Sequence, residues 1–175
     1  MNINIIDFID SSNKIKRKYI CNKQEGDNIL PNIRWTIKDN NKIKSFAIIF
    51  EDITVNLVHL FIPFINKDIR EISEIKKLSF EKTIENKSII DIYENINKLN
   101  IFIGKNYRGK NEYFGPCASK DTGIHTYIFK LYALDNILDF DIIKGSSEFM
   151  EVLKDRNIKI IEYSEKIFTY SYFYK

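Results

Sequence analysis

The sequence predicts a mainly β fold with helical segments at its periphery, and three observations predict it. Two continuous apolar runs, Ser45–Phe50 and Leu57–Ile62, have the pattern of strands buried on both faces. A longer segment, His125–Leu134, alternates: Thr126, Ile128, Lys130 and Tyr132 fall on one face, and His125, Tyr127, Phe129, Leu131 and Ala133 on the other. Helical spacing is confined to residues 66–100 and to Phe149–Arg156.

The remaining elements follow in chain order. Lys18–Cys21 is a short β-prone run, and Ile29–Trp35 leads into a strand that stops in the polar stretch 38–42. Lys14–Lys18 is the densest basic stretch and reads as one wet strand face. Glu51 and Asp52 close the first apolar run, and Pro63 closes the second, which contains His59. Ile69, Ile72 and Ile75, and again Ile89 through Ile96, repeat at helical spacing; they predict short amphipathic helices or irregular excursions from the sheet. Ile101–Ile103 resumes a strand. The stretch 104–123 holds four of the six glycines, and a loop of that length inside a compact domain is usually functional or disordered. The tail from Ile158 onward is rich in tyrosine and fits strand or helix.

Composition narrows the function. At 175 residues the chain fits one domain, 1–175, with a single substantial core. Apolar residues make up 44%, too many for a disordered coil. The formal charge is only +3 with no strong basic cluster, which argues against nucleic acid as a partner. No run approaches the ~18 apolar residues of a membrane span, and the N-terminus lacks a basic, small-residue-bounded leader pattern. Cys21 and Cys117 show no CxxC spacing and make no disulfide framework, so the expectation is a reducing, cytoplasmic location.

The chain has two histidines, one inside an apolar strand and one where a glycine loop enters a strand. If Asp52, His59, His125 and Tyr127 converge beside Gly115 and Gly123, imidazole, phenol and loop N–H groups make a donor-rich site with little formal positive charge. Such a set suits a phosphate or carboxylate. A metal site from Asp52, His59, His125 and Cys117 is conceivable, but nothing in the spacing demands it, and no metal or cofactor is expected. Each histidine taken alone reads more simply as a satisfied core residue, and Cys117 as a packed loop residue rather than a nucleophile.

Two segments carry a resemblance. Asn106-Tyr-Arg-Gly-Lys-Asn-Glu-Tyr-Phe-Gly-Pro-Cys117 resembles the pattern N-D-F/Y-G-x-x-G-Y-x-G-P-C, and Thr122-Gly-Ile-His125-Thr-Tyr127 through Asp135 resembles G-x-H-R-Y-x-F-x-L-Y-A-L-D. Both patterns belong to the phosphatidylethanolamine-binding protein family, in its bacterial and archaeal Raf-kinase-inhibitor-like branch. Weaker matches occur upstream in the right order: Tyr19–Cys21, Leu30–Trp35, Lys44–Asp52 and Val58–Pro63. The resemblance implies two packed antiparallel sheets with peripheral helices and a small surface pocket for phosphate-like anions. It assigns Asp52, His59, His125 and Tyr127 to that pocket, and Gly115 and Pro116 to its rim. It also implies that a C-terminal aromatic joins them, with Tyr163, Tyr170 and Tyr172 as candidates.

The implied function is non-enzymatic binding of a phosphorylated small molecule or phospholipid head group. The alternative is a regulatory module whose partner is a kinase or protease. His59 and His125 are expected on neighbouring strands, with Asp52 raising the pKa of at least one of them when an anion is bound. The sequence also departs from the family pattern. Asp52-Ile-Thr-Val-Asn56 lacks the prolines and second aspartate found after the family's strand, Leu60 replaces a tryptophan, and Ala118 and Ser119 replace prolines. These changes predict a rewritten rim around a retained centre.

Overall fold

A computed structural model describes residues 1–38, 41–74, 101–139 and 143–172. The first apolar run forms β3 (Ser45–Asp52), in which all eight residues are buried. Its two faces serve two cores. Phe46, Ile48 and Phe50 enter the larger one, while Ala47 and Ile49 meet Phe149 and Leu153 on the opposite side. A continuous apolar run is therefore required, because both faces of this strand are covered.

β3 pairs with β4 (Leu57–Asn66) on one side and β7 (Ile124–Leu134) on the other. β6 (Ile101–Phe102) joins β4, and β8 (Ile160–Ser171) joins β7. The result is a five-stranded antiparallel sheet of order β6-β4-β3-β7-β8. Facing it across the larger core is a three-stranded antiparallel sheet of order β1-β2-β5, made from Asn2–Ile6, Asn32–Thr36 and Glu71–Ile72. The far side of the large sheet is covered by α1 (Ser146–Asp155).

A buried polar knot fastens that helix. The Glu51 carboxylate accepts hydrogen bonds from Lys130 Nζ (2.5 Å), Ser146 Oγ (2.5 Å) and the Ser146 N–H (3.0 Å). An acid placed on the first turn also complements the helix dipole.

Several local expectations change. Lys18–Cys21 is not a strand: Arg17–Tyr19 and Asn22–Gln24 form 3-10 turns, because the chain here wraps the 113–118 loop instead of pairing with a sheet. The wet strand face at Lys14–Lys18 is likewise replaced by a bridge, Ile15 to Ile9, followed by the first of these turns. Ile72 lies in β5, so the helical spacing that begins at Ile69 does not make a helix over the described residues 66–74. Ile75 and the run Ile89–Ile96 lie outside the described residues. Among the described residues no helix is long and apolar enough to cross a membrane.

Candidate functional site

At one end of the larger core the inward faces of β3, β4 and β7 run out of aliphatic residues. Asp52 continues the face of Phe50, and His125 and Tyr127 continue that of Phe129. All four predicted centre residues are buried: Asp52 is 2% exposed, His59 2%, His125 4% and Tyr127 0%. Contrary to expectation, the two histidines do not lie on neighbouring strands: β3 pairs with both β4 and β7 and so lies between them. They still converge, because the Tyr127 ring lies 5.3 Å from His59 and 6.3 Å from His125.

Most hydrogen-bonding capacity here is used internally. Asp52 Oδ1 accepts the Thr54 N–H (2.9 Å), and Oδ2 meets His125 Nδ1 at 2.5 Å. His125 Nε2 meets Thr122 Oγ1 at 2.8 Å, and that hydroxyl also donates to the Ser119 carbonyl. Tyr127 accepts the Cys117 N–H (3.1 Å). Burial and the negative charge of the nearby Asp52 carboxylate push its pKa up. The phenol therefore stays protonated at neutral pH.

His59 differs. Its Nδ1 donates to the carbonyls of Phe114 (2.8 Å) and Gly115 (3.2 Å). In the neutral ring this fixes Nδ1 as the N–H and leaves Nε2 as an acceptor. Burial lowers its pKa, outweighing the two carbonyls and the Asp52 charge that act to raise it. The donor-rich cluster expected from residue types is therefore largely self-satisfied. His59 Nε2 becomes a donor only on protonation.

The loop wall explains the glycine. A Cβ on Gly115 would lie 2.2 Å from the Tyr19 carbonyl oxygen, so only glycine permits this approach. The Gly115 N–H donates to Asn28 Oδ1, and the Pro116 carbonyl accepts the Cys21 N–H. Gly115 and Pro116 thus hold the wall in place, with Gly115's carbonyl helping to orient His59. Tyr113 Oη donates to the Tyr19 carbonyl from beneath the same wall.

The cysteines overturn an expectation. Cys21 and Cys117 form a disulfide across 96 positions of sequence, with Cα atoms 5.4 Å apart. Sequence spacing could not show this, because the pairing arises when the 17–24 turns wrap the 113–118 loop. The bond also removes the Cys117 thiol from any metal or nucleophilic role.

Of the C-terminal aromatics, Tyr170 sits opposite His125 in the ladder, is buried, and donates to Gln24 Oε1. Tyr163 packs on Tyr132, beside the α1 knot. Two rim residues escaped the residue-type reading. Tyr107, 41% exposed, places its ring 5.3 Å from His59, and Arg108 lies 4.5 Å over the Phe114 ring, which itself stacks on His59. The available signal was the departure at these positions, where the resembled pattern has an acid and an aromatic. The missing prolines after Asp52 have a substitute. The turn closes through the Asp52–Thr54 bond, the left-handed Asn56 (φ 55°) and a bond from the Thr126 N–H to Thr54 Oγ1.

Comparison with known proteins agrees with this fold. The chain is 28% identical over 170 residues to the UPF0098 protein PH1269 of Pyrococcus horikoshii, covering 97% of this chain and 77% of that one. Its fold is similar to that of CT736 from Chlamydia trachomatis, described as a phosphatidylethanolamine-binding protein homologue (20% identity, TM-score 0.65, 97% and 96% covered). It is also similar to that of E. coli YbcL (16% identity, TM-score 0.70, 97% of each chain). The family model for phosphatidylethanolamine-binding protein matches residues 7–164, and the chain belongs to that family.

Proposed function

We propose that the whole chain acts as one non-enzymatic binding domain whose site takes a phosphate-bearing ligand, such as a phospholipid head group or a phosphorylated small molecule. The observation that carries this reading is His59. Its ring is clamped through Nδ1 and bordered by Tyr107 and Phe114, with the Arg108 guanidinium over the Phe114 ring. An arriving anion shifts His59 toward its protonated form, turning Nε2 into a charged donor.

The succession Asp52, His125 and Thr122 resembles an acid, a base and a hydroxyl nucleophile. The Thr122 hydroxyl, however, is turned to the Ser119 carbonyl, which supports a positioning role. The disulfide bears on location. Such bonds persist in oxidising compartments and are rare in a reducing cytosol, so the Cys21–Cys117 pair supports placement outside the reducing cytosol, against the sequence-based expectation.

The test is a thermal-shift and NMR titration with inorganic phosphate and phosphoethanolamine in wild type and His59→Gln. Concentration-dependent stabilisation that the substitution removes is expected. No stabilisation at any concentration overturns the binding reading. Ester or phosphoester turnover lost in Thr122→Ala overturns the non-enzymatic one.

A further inference from the structure

The turn 106–110 carries to the site the two residues that depart from the resembled pattern, Tyr107 and Arg108, and a buried side chain fixes where they stand. Asn106 is 1% exposed. Its Oδ1 accepts the N–H groups of Arg108 (2.9 Å) and Lys110 (3.3 Å), and its Nδ2 donates to the Glu112 carbonyl (3.0 Å). The Gly109 N–H closes the turn on the Asn106 carbonyl, and asparagine first with glycine fourth suits such a turn. The turn is then pinned to β4 beside His59: the Tyr107 N–H donates to the Val58 carbonyl, and the Phe114 N–H to that of His59. Without Arg108 the charge here is nearly balanced. The Asp52 carboxylate acts on both His59 and Tyr107, and a protonated His59 only cancels it. Lys120 and Asp121, exposed on the neighbouring loop, offset each other. Arg108 supplies the excess. Its nearest acid, Glu112, is 3.8 Å away with both side chains partly exposed, a weak pair for a guanidinium with five N–H donors. Lys110 is exposed on the same turn, whereas Arg108 is set over the Phe114 ring that stacks on His59.

We infer that Arg108 makes the site selective for phosphomonoesters over phosphodiesters, an inference that rests on the phosphate-binding reading above. A monoester at neutral pH carries close to two negative charges and three terminal oxygens. With one oxygen on His59 Nε2, two remain for the guanidinium fork, which holds a phosphate through paired N–H bonds. A diester carries one charge and two terminal oxygens, so only one is left once His59 is served, and the fork is half used. Charge acts in the same direction. Asp52 opposes a dianion, and the Arg108 charge is what offsets that opposition. The ligand is then a soluble phosphomonoester rather than the diester phosphate of an intact phospholipid, with Arg108 as the specificity-determining residue and Asn106 as its positioning residue.

Methyl phosphate and dimethyl phosphate test this, because they differ by one methyl group, one charge and one terminal oxygen. NMR titration of the wild-type chain at about pH 7.5, above the second phosphate ionisation, is expected to show the monoester bound about tenfold more tightly. In Arg108→Gln the monoester weakens until the two ligands bind alike, while the diester keeps its wild-type affinity. Arg108→Lys retains the charge but loses the fork, and keeps part of the preference. The side chain is partly exposed, so both variants fold as the wild type does, which their melting temperatures check. Equal affinities in wild type, or a preference untouched by Arg108→Gln, overturn the inference and leave phosphate binding standing. Binding of neither ligand overturns the binding reading itself, and the inference with it.

Discussion

Asp52 and His125 meet at 2.5 Å across the β3–β7 pair although they are not ladder partners: Asp52 stands opposite Tyr127, and His125 lies two residues further along the same face. The carboxylate thus reaches across the end of the central strands to orient the imidazole, while its other oxygen closes the turn at Thr54. One side chain serves both the turn and the site. Asp52→Asn keeps the shape but removes the charge and one acceptor, and a loss of about 1–3 kcal/mol is expected from urea unfolding.

His59 sets a pH dependence. Its folded pKa lies below the ordinary histidine value because it is buried. Its contribution is therefore fully present above about pH 6.5, the unfolded value, and is lost as pH falls toward the lowered folded pKa, where only the unfolded chain binds the proton. Stability measured between pH 7.5 and about pH 5 falls more steeply in wild type than in His59→Gln. Equal slopes would remove His59 as the cause.

Gly115 has no room for a side chain. In Gly115→Ala the new methyl meets the Tyr19 carbonyl, and the wall that carries the Phe114 and Gly115 carbonyls must move. A stability loss of about 2–3 kcal/mol is expected, together with a shift of the His59 imidazole resonances. An unchanged His59 spectrum would uncouple wall and ring.

The Cys21–Cys117 bond closes a loop long enough that the chain-entropy model gives about 4–5 kcal/mol. In the Cys21→Ser, Cys117→Ser double variant stability drops by up to that amount. The site geometry persists nonetheless, because Tyr113–Tyr19 and Gly115–Asn28 still tie the same segments together. The readout is denaturant midpoint alongside histidine NMR shifts.

The Glu51–Lys130–Ser146 knot predicts strong non-additivity. Lys130→Met leaves a buried carboxylate without its counter-charge and costs about 3–5 kcal/mol. Adding Glu51→Gln recovers most of that loss, which a double-mutant cycle measures.

The sequence by itself determined the strand-bearing segments and named a set of residues that the fold brings together. Ser45–Phe50, Leu57–Ile62 and the His125–Leu134 alternation became β3, β4 and β7, because burial on one face or two writes its period into the chain. The paired segments around Gly115 and His125 named residues that do come together. What each of them does was decided only by the tertiary structure. Whether His59 or His125 keeps a nitrogen to spare depends on Phe114, Thr122 and Asp52, which are distant in sequence or on other strands. The same holds for the insertion of β3 between the histidines and for the disulfide. Hydrogen-bond capacity, strand order and cysteine pairing are properties of which segments meet in space, and no local pattern of residues encodes them.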